Sequence, residues 1–194
     1  MTTLTKSALL ACIFLAGCAA KPNTGITPPA TPAAIDSAPK WFLTPPQDPN
    51  FLFATGTATS RDMQLARDKA SDAARMDMSK SIETRFEGLS KRFQEEVGTA
   101  MEAQYLDQFT QASKAVVSQV LTGVSIDQST VANEGGVFRF YVLLKMPVGA
   151  SSEALLNRIK QQEQLYTRFR SSEVFKELET ETQKFEDWKK SGNP

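Results

Sequence analysis

The sequence has no histidine and only two cysteines, Cys12 and Cys18, among its 194 residues. Histidine is the usual general base near neutral pH and the commonest metal ligand, so its absence removes the most frequent centre for both kinds of chemistry. Two cysteines provide neither a disulfide framework nor a multi-cysteine metal site. We therefore expect a fold that depends on an ordinary hydrophobic core, with no catalytic residue, no metal site and no cofactor.

Excess charge and long apolar runs are also absent. The 22 basic and 22 acidic residues cancel, and a balanced chain has no electrostatic basis for binding nucleic acid. The apolar run ALLACIFLAG near the start has ten residues, whereas a membrane-crossing helix needs about 20. The glycine pair GG at 135–136 lies in a hairpin signal and not in a phosphate-binding loop.

Residues 1–17 have the pattern of an export signal. Lys6 precedes the apolar run, and the run ends in the small residues Ala16 and Gly17, where a signal peptidase cleaves. The sequence LAGC at 15–18 resembles a bacterial lipobox, which implies cleavage between Gly17 and Cys18 and acylation of the Cys18 thiol. The alternative is an ordinary signal peptide that happens to contain a cysteine.

Acylation at Cys18 would anchor the chain to a membrane. Each buried methylene contributes about 0.8 kcal/mol, so two or more acyl chains of the palmitate type hold a protein stably. Ala19 stands where lipoproteins retained at the inner membrane tend to carry Asp, which implies the outer membrane, and we expect its periplasmic face. Residues 18–38 then form a flexible, Pro-rich linker that spans on the order of 60 Å when extended.

A strand followed by a helix is predicted next. FLFATGTA at 51–58 has the composition of a strand, and Gly56 within it would allow another backbone to approach closely. Thr59 or Ser60 is expected to cap the helix, with Asp62 in its first turn. The helix carries a narrow apolar stripe at spacings of mostly three and four residues, made of Ala66, Ala70, Ala73, Ala74, Met78 and Ile82.

Residues 82–98 fit two structures. Ile82, Thr84 and Phe86 alternate as in a strand, yet their neighbours are good helix formers. A second helix is predicted over 101–123, ending at a glycine.

A β-hairpin is the clearest element. NEGG at 133–136 separates two runs of β-forming residues. One face of the second run is expected to lie in the core and contains Phe138, Phe140, Val142, Leu144 and Met146. The other face is expected to contact water and contains Val137, Arg139, Tyr141, Leu143 and Lys145.

Residues 149–194 are predicted to be a C-terminal helical extension. No glycine or proline interrupts the sequence from Ser151 to Lys190, and Ser151 or Ser152 is expected to cap the first helix, with a break near Ser171. The apolar stripe of this extension is either an interaction surface or a face that packs back on the sheet. Deleting 151–194 should leave the domain folded but reduce assembly, whereas a loss of cooperative melting would show that the extension belongs to the core.

Residues 39–148 resemble a known domain. The sequence at 39–75 has an aromatic pair after a proline, a Gly-containing strand and an Ala-spaced helix, and LTGVSI and YVLLKMP are similar to two closing strands. This order resembles the twenty-kilodalton membrane-associated lipoprotein family of bacteria, whose domain type also occurs in outer-membrane flagellar accessory lipoproteins. The resemblance implies an α+β fold, in which a small, mostly antiparallel sheet of β-α-β-α-β-β order is packed with helices. It also favours a strand at 82–87, whereas the long C-terminal extension departs from the family.

Two functions of different classes follow from these patterns. The first is a structural outer-membrane lipoprotein that self-associates or docks on an envelope assembly such as the flagellum. The second is a periplasmic lipoprotein that binds a small apolar or glycan ligand, with Trp41, Phe42 and Tyr141 lining the pocket.

An enzyme is not expected. Carboxylates four residues apart occur among lysines and arginines and are expected on a solvated surface; they are Asp68 with Asp72 and Glu177 with Glu181. Ser81 and Ser90 have no neighbouring base that the sequence indicates.

Overall fold

The computed structural model of the protein describes residues 37–97, 103–121 and 124–192. The predicted signal peptide, the lipidation site Cys18 and nearly all of the predicted linker lie outside these residues.

The chain has the α+β class that the sequence predicts. Its elements in chain order are α1 (Lys40–Leu43), β1 (Phe51–Ser60), α2 (Met63–Val97), α3 (Ala103–Val120), β2 (Ser125–Glu134), β3 (Val137–Pro147), α4 (Val148–Lys160), α5 (Glu163–Phe169) and α6 (Glu173–Lys190). The three strands form one antiparallel sheet in the order β1-β3-β2, so β3 is central.

The predicted strand at 82–87 is wrong, because these residues lie in the middle of helix α2. From β1 to β3 the order is therefore β-α-α-β-β and not β-α-β-α-β-β. The reason is that the apolar residues continue beyond residue 87. Between 82 and 93 they are spaced by four, three and four residues, which is the helical period. All four side chains are buried, namely Ile82, Phe86, Leu89 and Phe93.

Helix α2 begins at an N-cap residue and packs directly on strand β1. Asp62 caps the helix in place of the expected Thr59 or Ser60, since its Oδ1 accepts the Leu65 N–H at 2.7 Å. Most of the predicted stripe is fully buried, and only Ala73 is half-exposed. The prediction for Gly56 is confirmed, because the space of its missing side chain is filled by α2 backbone.

The predicted hairpin is confirmed. Strands β2 and β3 pair across a turn in which Gly135 and Gly136 have φ angles of 61° and 89°. Asn133 Oδ1 accepts the Gly136 N–H at 3.0 Å and closes the turn. The helix-facing side of β3 is in the core, as expected.

The expectation that the second face of β3 contacts water is wrong at its centre. Tyr141 and Leu143 are 2% and 0% exposed. The segment that contains α1 covers this face: the Phe42 ring lies 4.9 Å from the Tyr141 ring, edge to face, and the Ser37 Oγ lies 3.2 Å from the Tyr141 hydroxyl. This segment precedes β3 by about a hundred residues. The alternation of polar and apolar residues within β3 therefore could not predict that the segment covers the strand.

The C-terminal region consists of three helices, α4 to α6. Helix α4 begins directly after Pro147, and the expected caps Ser151 and Ser152 are instead buried within it. The Ser151 hydroxyl donates to the Val148 carbonyl, and the Ser152 hydroxyl donates to Glu181. The predicted break near Ser171 is confirmed, and Ser172 caps α6 by accepting the Phe175 N–H at 3.1 Å.

The C-terminal helices share one hydrophobic core with the rest of the described chain. They pack mainly on α2 and α3 and only slightly on the sheet. Phe169 of α5 is at the centre, with its ring 4.7 Å from Phe93 of α2, 5.6 Å from Phe109 of α3 and 5.8 Å from Phe175 of α6. Of the described helices, none is both long enough and apolar enough to cross a membrane.

Candidate functional site

The two carboxylates that the sequence places four apart on α6 each contact an arginine of α2. Glu177 accepts two bonds from Arg92, at 2.7 and 3.0 Å, and this bidentate contact raises the pKa of the Arg92 guanidinium. Glu181 accepts from Arg85 and from the Ser152 hydroxyl. Each carboxylate therefore has an arginine of its own as partner.

The pair on helix α2 is exposed, as expected. Asp68 accepts from Gln64 at 2.9 Å, and Asp72 lies 3.5 Å from the Arg75 guanidinium. The Ser81 hydroxyl donates to a carbonyl of its own helix. Within residues 37–97, 103–121 and 124–192, no three histidine, cysteine or acidic side chains come close enough together to hold a metal ion.

The aromatic residues predicted to line a ligand pocket pack on one another. The Trp41 and Phe42 rings lie 6.3 Å apart, and Phe42 contacts Tyr141. Tyr141 is buried, so this row of rings covers the outer face of the sheet. Two grooves of the described structure have other linings.

The first of these grooves lies between α2 and α3 and encloses about 630 Å³. Its floor includes Phe86 and Phe109, which are buried core residues. Charged side chains such as Glu83 and Lys114 line its rim.

The second groove lies between the 49–51 segment, the start of α4, and α6, and encloses about 490 Å³. Half-exposed rings of Phe51, Phe185 and Trp188 form one side of it. Helix α4 approaches α6 closely here, since a side chain at Gly149 would meet the Glu181 carbonyl oxygen at 2.6 Å. The sequence did not indicate this site, because its two halves are about 135 residues apart.

Strand β2 is the most exposed regular element. Seven consecutive residues from its start are exposed, and the last three alternate between half-exposed and exposed. Ile126 and Val131 share the helix-facing side with core residues of β3, yet they are 38% and 45% exposed. The cause is that helix α2 packs over β1 and β3 and leaves β2 uncovered.

The outer edge of β2 has no partner strand within the described chain. The strand contains no lysine, arginine or proline, the residues that commonly block edge pairing. Its charges are Asp127, at a register shift, and Glu134. Two hydrogen bonds from the Arg139 guanidinium, at 2.8 and 3.0 Å, neutralise Glu134 and lower the pKa of its carboxyl group.

The opposite edge of the sheet is partly protected. The Thr55 N–H of β1 donates to Asp77 Oδ2 of α2 at 3.3 Å, so the helix occupies part of that edge. Strand β2 therefore has the more accessible edge of the two. Its sequence, SIDQSTVANE, has polar residues on both faces, which is the one sign that could have identified it from sequence.

Most segments that carry the family resemblance lie in the described residues, whereas LTGVSI at 121–126 includes residues 122–123, which lie outside them. The aromatic pair lies in α1, the Gly-containing strand is β1, the Ala-spaced helix is the first half of α2, and YVLLKMP is the end of β3. The resemblance itself stays a prediction, because the chain matches no protein-family model, no curated protein and no solved structure.

Proposed function

We propose that the chain is a lipoprotein anchored at Cys18 in the outer membrane, facing the periplasm, with a structural and self-associating role in the cell envelope and no catalytic activity. The observation that carries this proposal is strand β2, a ten-residue edge strand exposed along nearly its whole length. Such an edge is a template for a strand from another chain. The lipobox at 15–18 and the linker supply the anchor and the reach.

A second copy of this chain fits the edge. Residues 128–134 follow the register shift at Asp127 and alternate regularly along β3. If two copies pair antiparallel about a two-fold axis at Val131, Val131 faces itself and Ser129 faces Asn133. Facing residues then lie on the same side of the sheet, and no like charges oppose each other. A two-fold interface of this kind closes a dimer with one six-stranded sheet.

The anchor is tested by substituting the acylated residue. Cys18→Ser removes the thiol that takes the lipid, so we expect the protein to move from the membrane fraction to the soluble fraction when cells are fractionated. The matched control is Cys12→Ser, which lies in the predicted signal peptide and should leave the protein in the membrane. Retention of the Cys18→Ser protein in the membrane would contradict the lipobox assignment.

The edge is tested with a cysteine at the two-fold position. Facing residues of an antiparallel pair have Cα atoms about 4.5–5.5 Å apart, which is the separation of a disulfide. We expect Val131→Cys to form a disulfide-linked dimer in the membrane fraction, seen by non-reducing electrophoresis. The control is Met76→Cys on α2, which is 63% exposed and should stay monomeric.

Charge variants at the same position provide the second half of this test. Val131→Lys places two lysines opposite each other across the axis, and we expect about tenfold less dimer than in the wild type, measured by analytical ultracentrifugation of the detergent-extracted protein, since opposed like charges are costly. Val131→Glu should have the same effect, and co-expression of the two variants should restore the dimer. Equal dimer yields from all of these proteins would refute pairing through β2.

A further inference from the structure

The groove beside Trp188 is lined by three aromatic side chains. Lysines lie over two of these rings, Lys145 over Phe51 and Lys189 over Phe185. Trp188 and Phe51 meet edge to face at 5.9 Å, and Trp188 and Phe185 are nearly parallel at 5.8 Å. All three rings are half-exposed. Accessible aromatic faces attract the weakly positive C–H groups of a sugar ring, because the face of the ring is the negative side of its quadrupole. Pro49 and Pro147 line the same groove.

Two lysines at this groove are free of ion pairs within the described part of the chain. Lys184 lines the groove, and Lys145 lies over the Phe51 ring with its Nζ 4.2 Å from the ring centre. Neither lysine forms an ion pair among the residues that the structure describes. The one carboxylate in the lining, Glu181, is neutralised by Arg85. An anionic group at Lys184 would therefore find a cation without displacing an existing partner.

We infer that this groove binds a glycan that carries carboxylate groups. A sugar ring stacks on the Trp188 side, a carboxylate pairs with Lys184, and the Asn50 carboxamide offers a donor and an acceptor to hydroxyl or amide groups. The volume of about 490 Å³ lies in the range of small-ligand sites and suits two or three sugar units. The site is distinct from β2, and only the choice of a cell-wall glycan as the probe rests on the proposed periplasmic location.

A proline-rich peptide is the other ligand that aromatic grooves bind. The charges favour the glycan, because a proline-rich helix presents an apolar surface and leaves Lys184 and Lys145 unmatched. Binding of a proline-rich peptide in place of the glycan would therefore contradict the inference.

The two tryptophans of the chain, Trp41 and Trp188, make the test specific to the site. In full-length Trp41→Phe protein, extracted in detergent, Trp188 is the only tryptophan and reports on the groove. The probe is a tetrasaccharide of alternating N-acetylglucosamine and N-acetylmuramic acid, which carries carboxylates, and the reference is neutral chitotetraose. We expect saturable quenching of Trp188 by the first probe, with affinity about tenfold higher than for the second.

Variants in the same Trp41→Phe background assign the contacts. Lys184→Gln should weaken binding of the anionic probe about tenfold and leave that of chitotetraose unchanged. Phe185→Leu keeps an apolar side chain but removes a ring, and should weaken binding of both probes. Lys114→Gln, in the other groove, should change neither. The inference is overturned by an unchanged Trp188 signal, by equal affinity for both probes, or by quenching with a proline-rich peptide alone; none of these results bears on the anchor or on β2.

Discussion

Gly56→Ala is expected to destabilise the protein by about 3 kcal/mol, near the upper end of the range for overpacking. A Cβ atom at this position would overlap the Ala70 carbonyl oxygen and the Ala74 backbone nitrogen, and would lie 2.9 Å from the Ala74 Cα. Backbone cannot rotate away as the end of a side chain can, so β1 and α2 must separate. The measurement is the free energy of unfolding from urea denaturation, followed by circular dichroism.

Gly88→Ala is the matched control. Gly88 also belongs to the described structure, but it lies within α2, and a Cβ atom there would have no neighbour within 4 Å. Alanine is a better helix former than glycine, so this variant should be more stable than the wild type by about 0.5–1 kcal/mol. A Gly56→Ala protein as stable as the Gly88→Ala protein would mean that α2 does not rest on β1 as the structure has it.

The contact at Gly56 also shows how far sequence patterns reach. A glycine inside a strand predicted that some backbone would come close, and the alanine stripe predicted a helix lying close to a sheet. Each pattern was correct by itself. Their pairing in space came from the structure, since local periodicity describes one element at a time.

The strand predicted at 82–87 failed for a related reason. Ile82, Thr84 and Phe86 fit the two-residue period of a strand, and Ile82 and Phe86 also fit the period of a helix. Six residues are therefore too few to distinguish a strand from a helix. The apolar spacing continues to Leu89 and Phe93 at helical intervals, and both side chains are fully buried, so the segment is a helix.

The candidate sites were harder to predict than the fold class. Val131 is exposed because α2 packs over the other two strands and not over β2. Tyr141 is buried because the segment near residue 42 packs on it. The groove at Trp188 depends on how α6 returns to the start of β1. All three are tertiary effects, and local pattern contains none of them.

The C-terminal helices provide the second large effect. Phe169→Ala is expected to reduce the free energy of unfolding by about 3–5 kcal/mol, because it leaves a cavity at a fully buried ring. The loss should appear equally in circular dichroism and in hydrogen exchange of the sheet amides, since one core joins both regions. Leu43→Ala, at a residue that is 58% exposed, should stay within about 0.5 kcal/mol of the wild type.

Deletion of residues 151–194 also tests whether the C-terminal helices belong to the core. The deletion removes the apolar partners of Phe93 and Phe109 from the core and exposes both rings to water. We therefore expect the shortened protein to lose its cooperative melting transition, and not to keep it as a separate 39–148 domain would. If the shortened protein melted cooperatively while Phe169→Ala destabilised only the helical signal, the C-terminal helices would be an independent unit. Their apolar face would then be available to a partner, as the sequence pattern alone allows.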